Sequence, residues 1–325
     1  MNKSSLLKDH RDLVVGGILA AFLLVSGLFA NTSTMHLMMK VVIMALLALS
    51  LNVQTGLGGL RPLGHALMFG LGAYMYAIST VKWGLNPYLG IAAALAITCA
   101  IAIILGFLLV RRSDDLAFSF LSMGFCTLTY TAFLKLKYVG FDSGISNVPR
   151  LPGFESDKAC FYLVIVVAIV MTFIIYQLSQ SPFSWIFRAC RENKKKAECI
   201  GVNIVKVQLF GYVLSGMFAC VAGILYAMKN YGAYTSYIAV QLSMECLIMC
   251  LLGGMDNFWG PVLGAVIVTL FNTQVSNHTI YTNFFLGVLT LFVVMFVSGG
   301  ILDADMPGRI KSVSSKLTGK REKTK

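Results

Sequence analysis

Ten apolar runs, each about 20 residues long, dominate this chain and leave it few folds to adopt. They cover about Leu13–Ala30, Leu37–Val53, Gly64–Val81, Tyr88–Val110, Leu116–Leu134, Cys160–Leu178, Val207–Met228, Ser236–Leu252, Phe258–Ser276 and Phe284–Gly300. A helix of that length matches the hydrocarbon core of a bilayer. Lipid offers the backbone no hydrogen-bond partner, so each run must satisfy its own N–H and C=O groups as a helix. Only 12% of the 325 residues are charged and 57% are hydrophobic, so the chain cannot cover itself with a water-facing surface. An ordinary soluble domain is about 25% charged. The expected fold is all-α: a polytopic transmembrane helical bundle of about ten spans.

Charge sets the orientation. With the N-terminus inside, 19 of the 26 Lys and Arg residues fall in cytoplasmic segments. Positive loops resist translocation, so both termini are expected in the cytoplasm. Residues 1–12 form a short cytoplasmic tail, and 13–302 the transmembrane domain. That domain carries a cytoplasmic loop at 181–206 and an outside loop at 135–159. Residues 303–325 form a basic cytoplasmic tail, rich in Ser and Lys and expected to be disordered. The first run also invites comparison with a secretory signal. Leu28 near its end fits the small-residue cleavage rule poorly, so it reads as an uncleaved span.

Several function classes fall away. The net charge of +12 sits in loops and the tail, where it serves orientation and anionic lipid rather than nucleic acid. The eight cysteines show no paired spacing and read as small core hydrophobes. No metal, nucleotide or nucleophile motif occurs, so no catalytic residue, cofactor or metal is expected. No cytoplasmic segment is long enough for a soluble catalytic domain. An ion-coupled secondary transporter remains as a rival, and the scarcity of charges within the spans speaks against it.

Three stretches and three acidic residues stand out. In Ser181–Lys206, six cations (Arg188, Arg191, Lys194, Lys195, Lys196, Lys206) face Glu192 and Glu198. Ser181 before Pro182 predicts a helix start, and Gly201 its end. Trp185, Ile186, Phe187, Ala189 and Cys190 give that helix one apolar side. It is either a docking surface for a soluble partner or a basic loop that fixes topology. In Leu51–Tyr74, Gly56 to Gly64 with Pro62 breaks a helix at membrane depth. Broken backbone is tolerated only inside protein or along a wet cavity, so this is a pathway element or a tight packing turn. His65 follows it and reads first as a packing residue. Leu252–Ala265 is a second Gly-rich turn. Glu245 is an intramembrane carboxylate, a functional candidate because burying it unpaired is costly. Asp114 and Asp115 open a span where a helix N-terminus favours negative charge. The candidate pathway residues are Asn52, Gly56, Gly59, Gly64, His65 and Glu245.

Taken together, LNVQTGLGGLRPLGHALMFGLGAY (51–74), GFDSGISNVP (140–149), SPFSWIFRACRENKKKAECIGVNIVKVQLFGYVLSGMFACVAGILYA (181–227) and LSMECLIMCLLGGMDNFWGPVLGA (242–265) carry a resemblance. They resemble the LivM-like inner-membrane permeases of ATP-binding cassette importers for branched-chain amino acids, in the same order and spacing. The resemblance implies a multi-pass permease subunit in the plasma (inner) membrane of a prokaryote that binds no ATP. It implies partners: cytoplasmic ATP-binding subunits, a second and often different permease subunit, and an extracytoplasmic substrate-binding protein. Arg188, Arg191, Glu192 and Gly201 match the family's ATPase-coupling segment. Arg61-Pro62 and Lys194–Lys196 depart from the family pattern. Related permeases carry urea, short amides, nucleosides or sugars.

Overall fold

A computed structural model of the chain describes residues 16–21, 23–27, 31–111 and 115–278, with isolated positions 284, 287, 288 and 291 beyond them. The two tails, most of the last predicted span and Asp114 lie outside the described residues.

The described part is a helical bundle. Helix α1 (Gly16–Gly27) is followed by α2 (Thr32–Asn52). Then come α3 (Ala66–Ala77), α4 (Pro87–Arg111), α5 (Asp115–Lys135) and α6 (Asp157–Gln180). The short α7 (Pro182–Glu192) and α8 (Lys194–Cys199) precede α9 (Ile204–Asn230), α10 (Val240–Gly253) and α11 (Gly260–His278). Five of the helices are long and apolar enough to cross a membrane by themselves. Caps fix several boundaries: Ser156 accepts from the Ala159 N–H at 3.2 Å, and Asn203 from the Lys206 N–H at 3.1 Å.

Helices α2, α3 and α9 form the centre. Phe69, Tyr74 and Tyr76 of α3 are fully buried, as are Ile43 and Ala48 of α2 and Ala219 and Cys220 of α9. Small residues bring these backbones together, as in other membrane bundles. A Cβ at Gly223 of α9 would press into the Phe69 carbonyl of α3, and one at Gly72 into Cys220. The α10–α11 pair has the same construction, with Gly264 against the Met249 carbonyl.

The C-terminal ends of α2 and α3 each widen into a π-turn, Val53–Leu57 and Ile78–Lys82. Between Leu57 and Ala66 the chain leaves helical structure, where the glycines and Pro62 predicted a break.

The 135–159 loop is held more firmly than its Gly and Pro content suggests. Strand β1 (Ile145–Ser146) pairs antiparallel with β2 (Gly232–Ala233), placing Ile145 opposite Ala233. Tyr76 donates its hydroxyl to the Pro149 carbonyl at 2.9 Å. Arg150 is 5% exposed. Its Nε donates to the Met228 carbonyl at 3.3 Å and its Nη1 to the Glu155 carbonyl at 2.8 Å. Its Nη2 lies 2.9 Å from Asp157 Oδ1, and its guanidinium stacks 4.1 Å from the Tyr231 ring centre. One buried cation therefore clamps the loop to α6 and α9. Arg150→Ala is expected to destabilise the protein by about 2–4 kcal/mol. The thermal midpoint in detergent measures it, and an unchanged midpoint would remove the clamp from this account.

Candidate functional site

The central basic segment folds as two helices rather than one. Asn193 takes extended backbone (φ −159°), and its side chain accepts from the Lys196 N–H at 3.0 Å, capping α8 afresh. An Asn side chain that bonds its own backbone competes with helix continuation. Ser181 and Pro182 open α7 as expected, although the Ser181 hydroxyl turns back to the Leu178 carbonyl instead of capping. Gly201, at φ +87°, closes α8 rather than the whole segment, and its N–H reaches the Glu198 carbonyl at 2.9 Å.

The single apolar side expected on α7 is also divided. Ser184, Phe187 and Cys190 face the bundle and are buried. Trp185 is 65% and Ile186 41% exposed. Helical geometry explains the division, because positions three apart share a face and adjacent ones do not. Arg188, Ala189 and Glu192 lie on the exposed side, with the Arg188 guanidinium 5.8 Å from the Trp185 ring centre.

The inward side of α7 joins the basic segment to the two Gly-rich segments, 51–74 and 252–265. Phe187 fills a slot floored by glycine: a Cβ at Gly58 would strike its ring, and one at Gly211 of α9 would lie 2.6 Å from it. Phe183 stacks on Phe187 with centroids 5.4 Å apart and meets Phe210 edge-on at 4.9 Å. Arg191 keeps 39% of its side chain exposed, but its guanidinium reaches inward. Its Nη1 donates to the Gly56 carbonyl and, at 3.0 Å, to Asp256 Oδ1 in the second Gly-rich turn. A Cβ at Gly59, whose φ is +70°, would lie 2.6 Å from Arg191 Cγ, and one at Gly56 would lie 2.6 Å from the Met255 carbonyl. Arg191 therefore pins both broken segments to α7. Lys194 Nζ bonds Asp115 Oδ1 at 2.6 Å, tying α8 to the first turn of α5; this pair is solvent-exposed and contributes little stability.

The other candidates are spread through the bundle. Gly64 abuts the Ser122 carbonyl of α5, and the neighbouring Leu63 N–H donates to Ser122 Oγ at 3.1 Å. His65 is 2% exposed, with Nε2 2.8 Å from Ser50 Oγ. The Ser50 carbonyl in turn accepts from Ser215 Oγ at 2.5 Å, so His65 heads a polar chain across α2 and α9. Asn52 Oδ1 and both polar atoms of the Gln54 side chain are buried without partners among the described residues. Glu245 has a partner that sequence spacing hides: Asn272 Nδ2 of α11 donates to its Oε1. No group of three metal-ligating side chains occurs among the described residues.

Cysteine reactivity offers a test of orientation. Cys199 of α8 is the exposed cysteine of the described set, whereas Cys190 is buried, and burial pushes its thiol pKa up. A membrane-impermeant maleimide is expected to label Cys199 in inside-out vesicles and leave it unlabelled in right-side-out vesicles. Labelling from the outer side would reverse the topology.

Comparison with known proteins places this architecture. A family model described as branched-chain amino acid transport system / permease component matches residues 33–294. The high-affinity branched-chain amino acid transport system permease protein LivM of Salmonella typhimurium is 26% identical over 305 residues, covering 85% of this chain and 71% of the relative. LivM of Escherichia coli is 26% identical over 306 residues, covering 85% and 72%. The autoinducer 2 import system permease protein LsrC of Photorhabdus laumondii is 26% identical over 144 residues, 42% of each chain. No solved structure matches. The match spans both broken segments, α7 and α8, and the chain belongs to the family of branched-chain amino acid transport system permease components.

Proposed function

We propose that this chain is the membrane-spanning subunit of an ATP-driven importer for branched-chain amino acids in a prokaryotic inner membrane. It acts as a transport component, with ATP hydrolysed by separate cytoplasmic chains docked on α7 and α8. The observation that carries the reading is the two-sided construction of α7. Trp185, Ile186, Arg188 and Glu192 face outward, where a partner can bind, while Phe187 and Arg191 grip the broken segments. Force applied to α7 thus reaches Gly56–Gly64 and the 254–260 turn directly. Alternating access follows when the ATPase pair closes and pulls α7. A second permease subunit completes the pathway, and a binding protein delivers solute over the 135–158 loop.

Co-purification from native membranes in mild detergent, followed by mass spectrometry, tests this. Two ATPase chains and a second permease are expected. A lone, stable subunit whose uptake follows an ion gradient would replace this reading with secondary transport. The LsrC relatives, matching a shorter stretch, support a second reading in which the solute is not an amino acid. Competition of uptake by leucine, isoleucine and valine separates the two.

A further inference from the structure

Toward the end of the bundle opposite α7, four helices gather charged and amide groups that the packing alone does not require. Lys40 of α2, Glu245 of α10 and Asn272 of α11 lie about 8–12 Å from that end, counted along their helices at 1.5 Å per residue. Lys229 sits in the last turn of α9. Cys250 Sγ of α10 meets the Ala48 carbonyl of α2 at 3.2 Å, and counting back from that contact puts Lys40 and Glu245 within about one helical turn of each other in depth. Yet among the described residues neither lysine closes an ion pair with Glu245. Lys229 Nζ instead donates to Asn230 Oδ1 at 2.9 Å, and its ammonium lies 5.4 Å from the Tyr226 ring centre. Asn272 spends its amide N–H on Glu245, and its Oδ1 is buried with no partner among the described residues.

Opposite charges in an apolar setting normally close on each other, because an open charge there is expensive. Here they stand apart: among the described residues the Lys40 ammonium closes no ion pair, and the Glu245 carboxylate sits beside an amide oxygen without a partner. A solute with a carboxylate and an ammonium attached to one carbon would complete the set.

We propose that Lys40, Glu245 and Asn272 form a recognition site for the zwitterionic head of an α-amino acid in the outer half of the membrane domain. Lys40 receives the carboxylate, and Glu245 with Asn272 Oδ1 receives the ammonium. The proposal rests on the amino acid importer reading and names where that solute is held within this subunit.

The test is ligand-induced thermal stabilisation of the purified permease–ATPase complex, with leucine as the probe and isoamylamine, which lacks the carboxylate, as control. A ligand that binds only the folded state raises its midpoint. Leucine is expected to raise the midpoint of the unaltered complex and isoamylamine to leave it unchanged. Lys40→Met and Glu245→Gln should each weaken the leucine response at least about tenfold in concentration, the loss of one charge-assisted bond. Lys40→Arg and Glu245→Asp should restore part of it. Variants that lower the unliganded midpoint but keep the leucine response would make the cluster an interhelical clasp and overturn the site. An unaltered complex that carries its ATPase but ignores leucine would overturn it while sparing the importer. Absence of any ATPase would fault the underlying reading instead.

Discussion

Gly64→Val is expected to abolish accumulation of folded protein. Its Cβ would run into the Ser122 carbonyl of α5 and lie 3.1 Å from Cys126 Cβ. The obstacle is backbone, which cannot rotate aside as a side chain can. The only relief is to move α5 away, and that breaks the Leu63–Ser122 hydrogen bond. Overpacking costs about 1–3 kcal/mol in side-chain-lined cores, and a backbone clash belongs at or above the upper end. Against a total stability of about 5–15 kcal/mol, that is a large share. Gly124→Val on the same helix is the control, since nothing lies within 4 Å of its Cβ. Fluorescence-detected size exclusion reads both variants. A monodisperse Gly64→Val protein with normal uptake would show that α5 is not seated against this turn.

Arg191→Glu is expected to cut uptake about 100-fold or more. The substitution removes a charge-assisted bond to the Gly56 carbonyl, a loss of about 1.5–3 kcal/mol, and sets a carboxylate beside Asp256. The link from α7 to both broken segments then opens, while the outward face of α7 remains. ATPase chains should still co-purify and hydrolyse ATP without transport. Arg188→Glu should fail differently: its side chain is exposed, so the melting midpoint stays and ATPase association falls. Identical behaviour of the two variants would refute the division of α7 into a docking side and a transmitting side.

Much of this arrangement is legible in the sequence. Apolar run length places the spans, and the Gly56–Gly64 interval with Pro62 places the first break. Ser181-Pro182 places the start of α7. Three features were not legible, each for a physical reason. Apolar residues occur on both sides of α7, so contiguity suggested one greasy side where three-residue spacing makes two. The Lys194–Lys196 run looks helical throughout, and the break comes from the Asn193 side chain choosing its own backbone. Arg191 and Glu245 find their partners at Gly56, Asp256 and Asn272, far along the chain, and no local pattern encodes such contacts. The resemblance singles out Arg191, but nothing in the sequence shows that its guanidinium reaches inward.

The glycine seams between α3 and α9 and between α10 and α11 limit how this bundle can change shape. Where backbone rests on backbone, no rotamers remain to repack, so each pair must travel as one rigid body. Sliding one helix past its mate by a residue would drive a side chain into a carbonyl. Motion is then left to the segments that join these pairs to the rest of the chain, the Gly58–Gly64 interval between α2 and α3 and the 231–239 stretch between α9 and α10. The first of them lies against Phe187 and Arg191 of α7, so one short helix sits at the pivot of a stiff lever.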